Sequence, residues 1–247
     1  MDLGLTGKRA AVAASSAGLG YASAAALVAE GARVAICGRD KGRIDAAAAQ
    51  LGPNAIALVA DVARQQGATA FVTAAQDALG GVDILVTNGG GPPPGDFAST
   101  PLEAYSDALE LNLLSVVAMC YAAVPSMREQ GWGRVVAITS IAVRQPRHDL
   151  ILSNTARTGA TGFLRTLARE VAKDGITVNS VLPGIHATAR MAELYPSMAE
   201  AARGVPRGVV GDPADFGQVV AFLCSQQAQH VTGVALQIDG GTYPALL

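Results

Sequence analysis

Seven short runs of β-branched and other apolar residues alternate along this 247-residue chain with longer, alanine-rich segments, and this alternation restricts the folds open to it. Most runs are apolar throughout, which is typical of strands covered on both faces. The runs are Arg9–Ala14, Arg33–Cys37, Ala55–Val59, Ile84–Thr87, Val135–Thr139, Thr177–Leu182 and Val234–Ile238. Because each crossover returns right-handed across one face, we expect an α/β fold: a doubly wound parallel sheet of about seven strands with helices on both faces.

The alanine-rich segments carry small and apolar residues at helical spacing and predict six helices. One stripe comprises Ala22, Ala25, Ala26 and Ala29, and another comprises Ala156, Ala160, Phe163, Leu164, Leu167 and Val171. Four glycines follow predicted helices and indicate left-handed caps: Gly31, Gly52, Gly80 and Gly175. Neither a linker nor a repeat divides the chain, so we expect a single domain over residues 1–247.

Composition and charge argue against several classes of protein. Hydrophobic residues make up 50% of the chain, far too much for a disordered protein. The net charge of -2 and the lack of a basic stripe argue against nucleic acid and against attraction to a membrane surface. The longest apolar stretch, Leu113–Pro125, is shorter than the ~20 residues that cross a bilayer. The N-terminus lacks a signal-peptide pattern, so we expect a cytoplasmic protein without membrane or nucleic-acid partners.

The cysteines indicate neither a disulfide framework nor a metal site. Cys37, Cys120 and Cys224 are odd in number, far apart and flanked by apolar residues, which is typical of small buried side chains. A reactive thiol is the alternative. No metal is expected.

A segment of small residues follows the first predicted strand and precedes a helix: Ala14-Ser15-Ser16-Ala17-Gly18-Leu19-Gly20. Small residues there let the backbone approach a pyrophosphate, and free N–H groups at the helix start bind its negative charge. The candidate nucleotide contacts are Ala14, Ser15, Ser16, Gly18, Leu19 and Gly20. A tight strand-to-helix turn without a ligand is the alternative.

The end of the second predicted strand bears on the choice of nucleotide. A dinucleotide fold places its ribose-selecting residue there, and this chain reads Cys37-Gly38-Arg39-Asp40. Arg39 can stack on adenine and pair with a 2′-phosphate, whereas Asp40 is better placed to cap the next helix. The sequence therefore favours NADP(H) over NAD(H), with a solvated turn residue as the alternative role of Arg39.

The third and fourth predicted strands also end in candidate contacts. Asp61-Val62 could accept a hydrogen bond from adenine, or Asp61 could be a helix N-cap. Asn88-Gly89-Gly90-Gly91 offers backbone close to the adenosine ribose, or could be a flexible turn. Ligands of such sheets bind outside the carboxyl ends of the strands, so these segments point into one crevice.

Taken in order, these segments resemble the short-chain dehydrogenase/reductase family over nearly the whole chain. The glycine-rich segment has Ala14 in place of the family's first glycine. Asn88-Gly89-Gly90 resembles the Asn-Asn-Ala-Gly element, with Thr87 and Gly90 as departures, and Ile238-Asp239-Gly240-Gly241 resembles the C-terminal strand ending. The resemblance implies a Rossmann-type dinucleotide-binding domain.

The resemblance also implies roles for later residues. Asn112, within Leu111-Asn112-Leu113, matches the asparagine that helps organise the family's proton relay, and Ser140 matches the catalytic serine. The segment from Pro183 to Thr188 resembles the one that contacts the nicotinamide amide. Pro183, Gly184 and Thr188 are therefore candidate cofactor contacts.

The family's Tyr-x-x-x-Lys motif is absent. Aligned through Gly162-Phe163, the tyrosine position falls on Ser153 and the lysine position on Arg157. The family's tyrosine exchanges a proton with the substrate, and its lysine lowers the pKa of that tyrosine. A serine hydroxyl is far less acidic, and arginine stays protonated and cannot relay protons. Because Ser153 and Arg157 share one helical face, cofactor binding can survive the change.

We therefore interpret the site as one with a rebuilt proton relay. Ser140, Ser153 and Arg157 would polarise a substrate oxygen as donors, and Arg157 would also contact the cofactor. The proton would come from water or from another residue, with His148 and His186 as candidates because histidine titrates near neutrality. A surface or structural role is the alternative for each histidine.

We expect an NADP(H)-dependent oxidoreductase that acts on a carbonyl/alcohol pair. At the family level it resembles a 3-oxoacyl reductase. Its substrate is expected to be small and partly apolar. The alternatives are a non-redox enzyme on the same scaffold and a non-catalytic nucleotide-binding sensor or subunit. The resemblance implies a substrate lid over residues 188–211. It also implies a homo-oligomer, a tetramer or dimer paired through the long helices predicted at about 101–130 and 153–174.

Overall fold

The computed structural model describes residues 2–246, apart from the side chain of Glu193. Its centre is a seven-stranded sheet in the order β3-β2-β1-β4-β5-β6-β7, and every neighbouring pair is parallel. The strands are β1 (Arg9–Val12), β2 (Arg33–Gly38), β3 (Ala55–Val59), β4 (Ile84–Thr87), β5 (Gly133–Ile138), β6 (Ile176–Pro183) and β7 (Ala235–Ile238). The predicted Rossmann-type doubly wound parallel sheet is confirmed. Its strand order reverses direction between β1 and β4, where such sheets form a ligand crevice.

Helices connect the strands on both sides. They are α1 (Gly18–Ala29), α2 (Lys41–Leu51), α3 (Gln65–Leu79), α4 (Ala104–Leu109), α5 (Ser115–Gln130), α6 (Ile151–Val171), α7 (Ala189–Leu194), α8 (Met198–Ala202) and α9 (Pro213–Cys224). A π-helical turn, Glu110–Leu114, divides the predicted helix at 101–130 into α4 and α5. The segment after β6 adds the short helices α7 and α8, so the described residues form more helices than the six predicted.

Each face of the sheet has its own apolar core. On one face, α3, α5 and α6 bury Phe71, Met119 and Leu164. On the other face, α1 and α9 bury Leu27 and Phe216. Central strand residues are buried, β5 along its whole length. The central apolar runs therefore have the predicted cover on both faces. The edge strands β3 and β7 do not, since Val59 and Leu236 are exposed.

The predicted glycine caps are partly confirmed. Gly80 and Gly175 adopt the left-handed conformation, with φ, ψ of 78°, 25° and 73°, 16°. Gly52 has φ of 90° but ψ of -167°, so it is not a left-handed cap. The C-cap of α1 is Glu30 at φ -84°, and the positive φ falls on the next residue, Gly31.

One continuous helical segment of the described residues, Ala104–Gln130, is long and apolar enough to cross a membrane by length and composition alone. It has 27 residues, longer than the apolar stretch recognised in the sequence, and a mean hydropathy of 1.6 in its most apolar window. Of that window, 44% is buried inside the fold, and Met119, Ala123 and Met127 lie in the core. The core helix of a soluble protein meets the same two criteria.

A part-buried ion pair joins the beginnings of two adjacent strands, β1 and β4. Asp83, just before β4, accepts from Arg9 Nε at 2.9 Å, from Arg9 Nη2 at 2.6 Å and from the Arg9 backbone N–H at 2.9 Å. Burial alone would raise the pKa of the Asp83 carboxyl, but the hydrogen bonds and charge of Arg9 outweigh it and hold that pKa below its ordinary value. The pair therefore stabilises the folded state most when Asp83 is ionised.

Asp83→Asn is expected to lower the free energy of unfolding at pH 7 by about 2 kcal/mol, because it removes charge-assisted hydrogen bonds. A carboxyl whose pKa is depressed in the folded state stabilises that state above its unfolded pKa of about 3.9. The difference between wild type and variant should therefore be constant above about pH 5 and shrink as the pH falls below about 4. Urea titrations across this range measure it.

Asp45→Asn is the matched control, since the Lys41–Asp45 pair is solvent-exposed and should change stability by less than about 0.5 kcal/mol. Equal stability of wild type and Asp83→Asn at pH 7 would contradict the assigned role of the pair.

Candidate active site

A cleft of about 400 Å³ opens at the carboxyl edge of the sheet, where β1, β4, β5 and β6 end. One wall carries the predicted nucleotide contacts Gly18, Leu19, Asn88, Gly89 and Gly90. The other carries Ser140, Ser153, Arg157, Pro183, Gly184 and Thr188. Chain segments far apart in sequence thus meet at the crevice that the strand order predicts.

The first strand ends earlier than predicted, because the chain turns sharply after it. β1 stops at Val12, and Ala14 has a φ of +46°, which only glycine adopts readily. Ala14 holds this conformation through two fixed contacts: its N–H donates to Cys37 Sγ at 3.3 Å, and its carbonyl accepts from Asn88 Nδ2 at 3.0 Å. The turn replaces the last two predicted strand residues and directs the chain into α1.

Ser15 is fully buried behind the cleft and holds the loop to the sheet. Its hydroxyl donates to the Val12 carbonyl at 2.7 Å and accepts from the Cys37 N–H at 3.2 Å. Its side chain therefore points away from the cleft. Asn88 likewise uses its side-chain amide to position the loop. The sequence predicts both residues as ligand contacts, and this bracing between strand ends is visible only in the structure.

Two glycines shape the start of α1. Gly18 has a φ of +61°, and a Cβ built there would make an ordinary van der Waals contact with Thr188 Cγ2, at 3.8 Å, so the two walls approach each other here. Gly20 lies behind the loop, and a Cβ built there would lie 2.6 Å from Asn88 Nδ2 and 2.7 Å from the Ala14 carbonyl oxygen. Gly20 thus permits the close packing that fixes the loop.

Seven predicted cofactor contacts lie outside the residues that line the cleft: Ala14, Ser15, Ser16, Gly20, Arg39, Asp61 and Val62. Ser16 lies beside Gly38, since a Cβ on that glycine would be 3.3 Å from Ser16 Cβ. Arg39 is exposed and makes no ion pair with any described residue. Its neighbour Asp40 caps α2 by accepting from the Arg43 N–H at 2.9 Å, as predicted.

Of the two roles predicted for Asp61, an adenine contact and a helix N-cap, the structure excludes the N-cap. α3 begins at Gln65 with Arg64 as its N-cap, three residues after Asp61. The Asp61 carboxylate is exposed and accepts from the Ala63 N–H at 3.0 Å, while Val62 is buried. The Asp61 side chain remains accessible at the strand end.

Asn112 and Arg157 converge on one backbone carbonyl. Gly90 O accepts from Asn112 Nδ2 at 2.9 Å and from Arg157 Nη2 at 3.2 Å. Asn112 lies behind the cleft in the π-helical turn, is 4% exposed, and its buried Oδ1 has no hydrogen-bond partner among the described residues. The Gly90 carbonyl thus links the asparagine to the guanidinium.

Arg157 is a buried cation held by carbonyl groups. Its Nη1 donates to the carbonyls of Ile138 and Thr139, each at 3.2 Å, at the end of β5. It is 9% exposed, and no carboxylate of the described residues pairs with it. Burial lowers the pKa of this guanidinium to about 10, so it remains protonated at neutral pH.

The two serines present hydroxyl groups to the same cleft. Ser140 accepts from the Ala142 N–H at 3.1 Å, which leaves its own hydrogen free to donate. Ser153 lies one turn before Arg157 on α6, lines the cleft and is 8% exposed. No hydrogen bond connects the Ser153 hydroxyl to another side chain or carbonyl in the part of the chain that the structure describes. Ser140, Ser153 and Arg157 therefore line the same cleft.

The two histidine candidates differ in position. His148 is exposed and does not line the cleft. His186 lines the cleft but is 4% exposed, with Nδ1 3.4 Å from the Gly184 carbonyl and its ring edge against Phe216. Burial lowers the pKa of His186, so its ring is neutral at pH 7. This environment is typical of a structural histidine.

The segment predicted as a lid borders the cleft. Met191 and Leu194 of α7 line it. Beyond α7, the Tyr195 side chain lies near Arg147, whose guanidinium binds the Asp149 carboxylate at 2.7 and 3.0 Å. These partners, Asp149 first, raise the pKa of Arg147. The end of α7 is therefore tied to the segment that leads into α6.

The cysteines are buried as predicted. Burial raises the pKa of Cys37, Cys120 and Cys224 to about 12. Thiols with such pKa values are protonated at neutral pH and poorly reactive. Cys37 instead helps to hold the loop after β1, because its Sγ accepts a hydrogen bond from the Ala14 N–H.

The residues present fit a dinucleotide. Gly18, with its positive φ, lines the cleft and forms a cradle at the start of α1, where backbone N–H groups bind pyrophosphate. Pro183, Gly184 and Thr188 lie across the cleft from that cradle. The adenosine side would meet the ends of β2 and β3, near Arg39 and Asp61.

Comparisons with known proteins agree with this geometry. Residues 13–243 match the family model described as Enoyl-(Acyl carrier protein) reductase. The chain is 33% identical to the 3-oxoacyl-(acyl-carrier-protein) reductase FabG of Vibrio cholerae, covering 98% of this chain and 99% of that protein. It is 34% identical to human dehydrogenase/reductase SDR family member 4, covering 96% and 88%.

A solved structure is similar over the full length. L-sorbose reductase from Gluconobacter frateurii, complexed with NADPH and L-sorbose, superposes with a TM-score of 0.94 at 31% identity, covering 100% of both chains. The sheet, the position of the cleft and these matches lead to one assignment. The chain belongs to the short-chain dehydrogenase/reductase family of oxidoreductases.

Proposed function

We propose that the protein is an NADP(H)-dependent oxidoreductase that moves hydride between the nicotinamide and a carbonyl/alcohol pair, with the proton relay altered at Ser153 and Arg157. The observation that carries this proposal is the cleft itself, which combines the nucleotide cradle at Gly18 with the donors Ser140, Ser153 and Arg157. When bound, the nicotinamide supplies or accepts the hydride.

The donors would act on the substrate oxygen. Ser140 and Ser153 have hydroxyl hydrogens free to bind it, and Arg157 adds a permanent positive charge one helical turn away. Fixed donors of this kind stabilise the charge that develops on a carbonyl oxygen as it is reduced. Asn112 and the Gly90 carbonyl hold the guanidinium in place.

The relatives suggest the first substrates to test. One is a 3-oxoacyl reductase and another an L-sorbose reductase, so the panel would contain 3-oxoacyl thioesters and ketoses. We expect loss of NADPH absorbance with at least one ketone of the panel. Product formation at a constant amount of NADPH would instead identify a non-redox enzyme, and tight NADPH binding with no product would identify a non-catalytic protein.

The preference for NADP(H) rests on Arg39. The Arg39 side chain is exposed and makes no ion pair in the described structure, while Asp40 caps α2. Arg39→Ala is expected to weaken NADPH binding by about 10-fold or more, because hydrogen bonds to charged groups contribute about 1.5–3 kcal/mol. NADH binding should be unchanged.

Fluorescence titration with both nucleotides measures this difference. Arg33→Ala is the matched control, since it removes the same charge from the opposite end of β2. Equal affinity of the wild type for NADPH and NADH, or an Arg39→Ala variant that binds NADPH as tightly as wild type, would contradict the role of Arg39.

We also propose a homo-oligomer, a dimer or tetramer, paired through α5 and α6. An apolar groove of about 220 Å³ lies between these helices, lined by Cys120, Val124, Phe163 and Leu167, and the neighbouring Tyr121 is 75% exposed. Light scattering should give two or four times the chain mass. Tyr121→Glu should reduce that mass, and a wild-type monomer at micromolar concentration would contradict this assembly.

We also propose that the protein is cytoplasmic and that its substrate is small and partly apolar.

A further inference from the structure

A short backbone bridge closes the base of the segment predicted as a lid. Just after β6, the Ala187 N–H donates to the Gly211 carbonyl at 2.9 Å, and the Gly211 N–H donates to the Ile185 carbonyl at 2.9 Å. His186 and Gly211 pair in parallel between these two hydrogen bonds. Residues 187–210 therefore begin and end at this bridge, which we call the neck.

The neck borders two separate spaces. One is the cleft, where Thr188, Met191 and Leu194 of the same segment supply part of the wall. The other is a cavity of about 550 Å³, lined by the start of α9 and by the residues around the end of β7. His186 lines both spaces. A displacement of His186 would therefore be transmitted to the wall of the cleft.

The His186 ring fits into the neck because residue 211 is glycine. A Cβ built on Gly211 would lie 2.5 Å from His186 Cδ2 and 2.7 Å from Nε2. Real Cβ atoms do not come so close, so a larger residue would displace the ring. Gly211 does not have a positive φ, so the close approach of the ring, and not the backbone conformation, requires the glycine. The ring also packs edge-on against Phe216 of α9, with 5.1 Å between centroids.

The surroundings of the ring suit a neutral imidazole. Nδ1 lies 3.4 Å from the Gly184 carbonyl, and Nε2 has no hydrogen-bond partner among the described residues. A protonated imidazole has two N–H donors to satisfy. Burial lowers the pKa of His186 by more than the Gly184 carbonyl and the Asp212 charge raise it. The closed neck is therefore most stable when the ring is neutral.

Charged groups are unequally distributed around the ring. Three carboxylates line the second cavity: Asp212, Asp215 and Asp239. Arg207 is the one cation among the described residues of that cavity. The cleft has Arg157 and Arg190, and no carboxylate among its described lining residues. A protonated ring would be repelled by the cations of the cleft and attracted to the carboxylates of the second cavity.

We propose that His186 is a positioning residue of the cleft: its neutral ring, packed against Gly211, holds the neck closed and Thr188 and α7 in place, and protonation of the ring releases them. For its effect on turnover the inference rests on the proposed NADP(H)-dependent reaction. A released ring has the ordinary histidine pKa of about 6.5, and the packed ring has a lower one. The closed neck should therefore be insensitive to pH above about 6.5 and lose stability as the pH falls below it.

Hydrogen–deuterium exchange tests the neck without turnover. The Ala187 and Gly211 amides both donate across the neck, so their protection reports its opening. Peptides that contain them are analysed by mass spectrometry at about pH 7.5 and about pH 5.5, after correction for the intrinsic pH dependence of exchange. We expect protection to be about 5–10-fold lower at the acidic pH, because one titrating group changes an opening equilibrium at most about 10-fold per pH unit.

Two variants that cannot be protonated separate charge from packing. His186→Phe keeps a ring against Gly211, and His186→Asn keeps a donor for the Gly184 carbonyl but leaves space. Both should abolish the pH dependence of protection, and His186→Asn should be less protected than wild type at about pH 7.5. If His186→Phe does not fold, His186→Asn still decides the question. His148→Phe, at an exposed histidine outside the cleft, is the matched control and should retain the full pH dependence.

A double-mutant cycle tests the contact between the ring and the glycine. Gly211→Ala should lower the protection of the Ala187 amide by about 10-fold at about pH 7.5, because the added Cβ displaces the ring. In a His186→Ala background the same substitution should change protection by less than about twofold, because no ring remains to be displaced. Equal losses in the two backgrounds would overturn the inference.

The pH profile of turnover connects the neck to the proposed function. With a ketone that the wild type reduces, kcat/KM should fall about 5–10-fold from about pH 7.5 to about pH 5.5, and less than about twofold in His186→Phe. Wild-type protection that is equal at both pH values, or that changes equally in His186→Phe, overturns the inference and leaves the proposed function intact. The expected exchange in a protein that binds NADPH but reduces no ketone supports the role of His186 and overturns the proposed function instead.

Discussion

Gly20→Ala is expected to weaken NADPH binding by more than ~100-fold while the protein stays folded. The added Cβ would lie 2.6 Å from Asn88 Nδ2 and 2.7 Å from the Ala14 carbonyl oxygen, and these two atoms form the hydrogen bond that fixes the loop. The collision involves backbone, so the loop itself must move. Displacing the N–H groups at the start of α1 would cost at least two charge-assisted hydrogen bonds to a pyrophosphate, each about 1.5–3 kcal/mol.

Fluorescence titration with NADPH measures the affinity, and circular dichroism checks the fold. Gly162→Ala is the matched control, because a Cβ there meets nothing within 4 Å and α6 should tolerate it. A Gly20→Ala variant that binds NADPH within a factor of about three of wild type would show that this loop does not hold the pyrophosphate.

Ser153→Ala is expected to lower kcat/KM by about 100-fold, the usual loss when one donor to a developing oxyanion is removed. The dissociation constant for NADPH should not change, since the hydroxyl faces the cleft and braces no other residue. Arg157→Met should lower kcat/KM by ~1,000-fold or more, because it removes charge and releases the carbonyls of Gly90, Ile138 and Thr139.

Arg157→Lys separates charge from geometry. A lysine keeps the charge but cannot reach three carbonyls from a planar fork, so we expect an intermediate loss of about 10-fold. Thr155→Ala is the control on α6, where the hydroxyl bonds to the Ile151 carbonyl and is exposed. Full kcat/KM in both Ser153→Ala and Arg157→Met, with the enzyme's own substrate, would contradict the rebuilt site.

The strands were the most predictable part of the fold, because burial on both faces demands continuous apolar runs. β3 and β4 have the predicted bounds, and β2 ends one residue later. β1 ends early at Val12 because of Ala14, whose N–H donates to Cys37 and whose carbonyl accepts from Asn88, and these hydrogen bonds hold its positive φ. Such bonds join residues far apart in sequence, so local patterns do not reveal them.

The candidate site was predictable where the residue type alone determines the chemistry. It was less predictable where tertiary packing determines the burial and the charge partners of a side chain. Most candidates at the ends of β1, β4, β5 and β6 meet in one cleft, as parallel topology requires. Histidine type alone did not distinguish exposed His148 from buried His186. The buried, unpaired charge of Arg157 also needed the structure, since it depends on which carboxylates lie nearby.

The most direct test of the account is a crystal structure of the protein soaked in excess NADPH. We expect the pyrophosphate at the start of α1 by Gly18, the nicotinamide beside Pro183 and Gly184, and the Ser153 hydroxyl within hydrogen-bond reach of the space above the nicotinamide C4. A groove between Gly18 and Thr188 that stays empty or is blocked by the protein would contradict it.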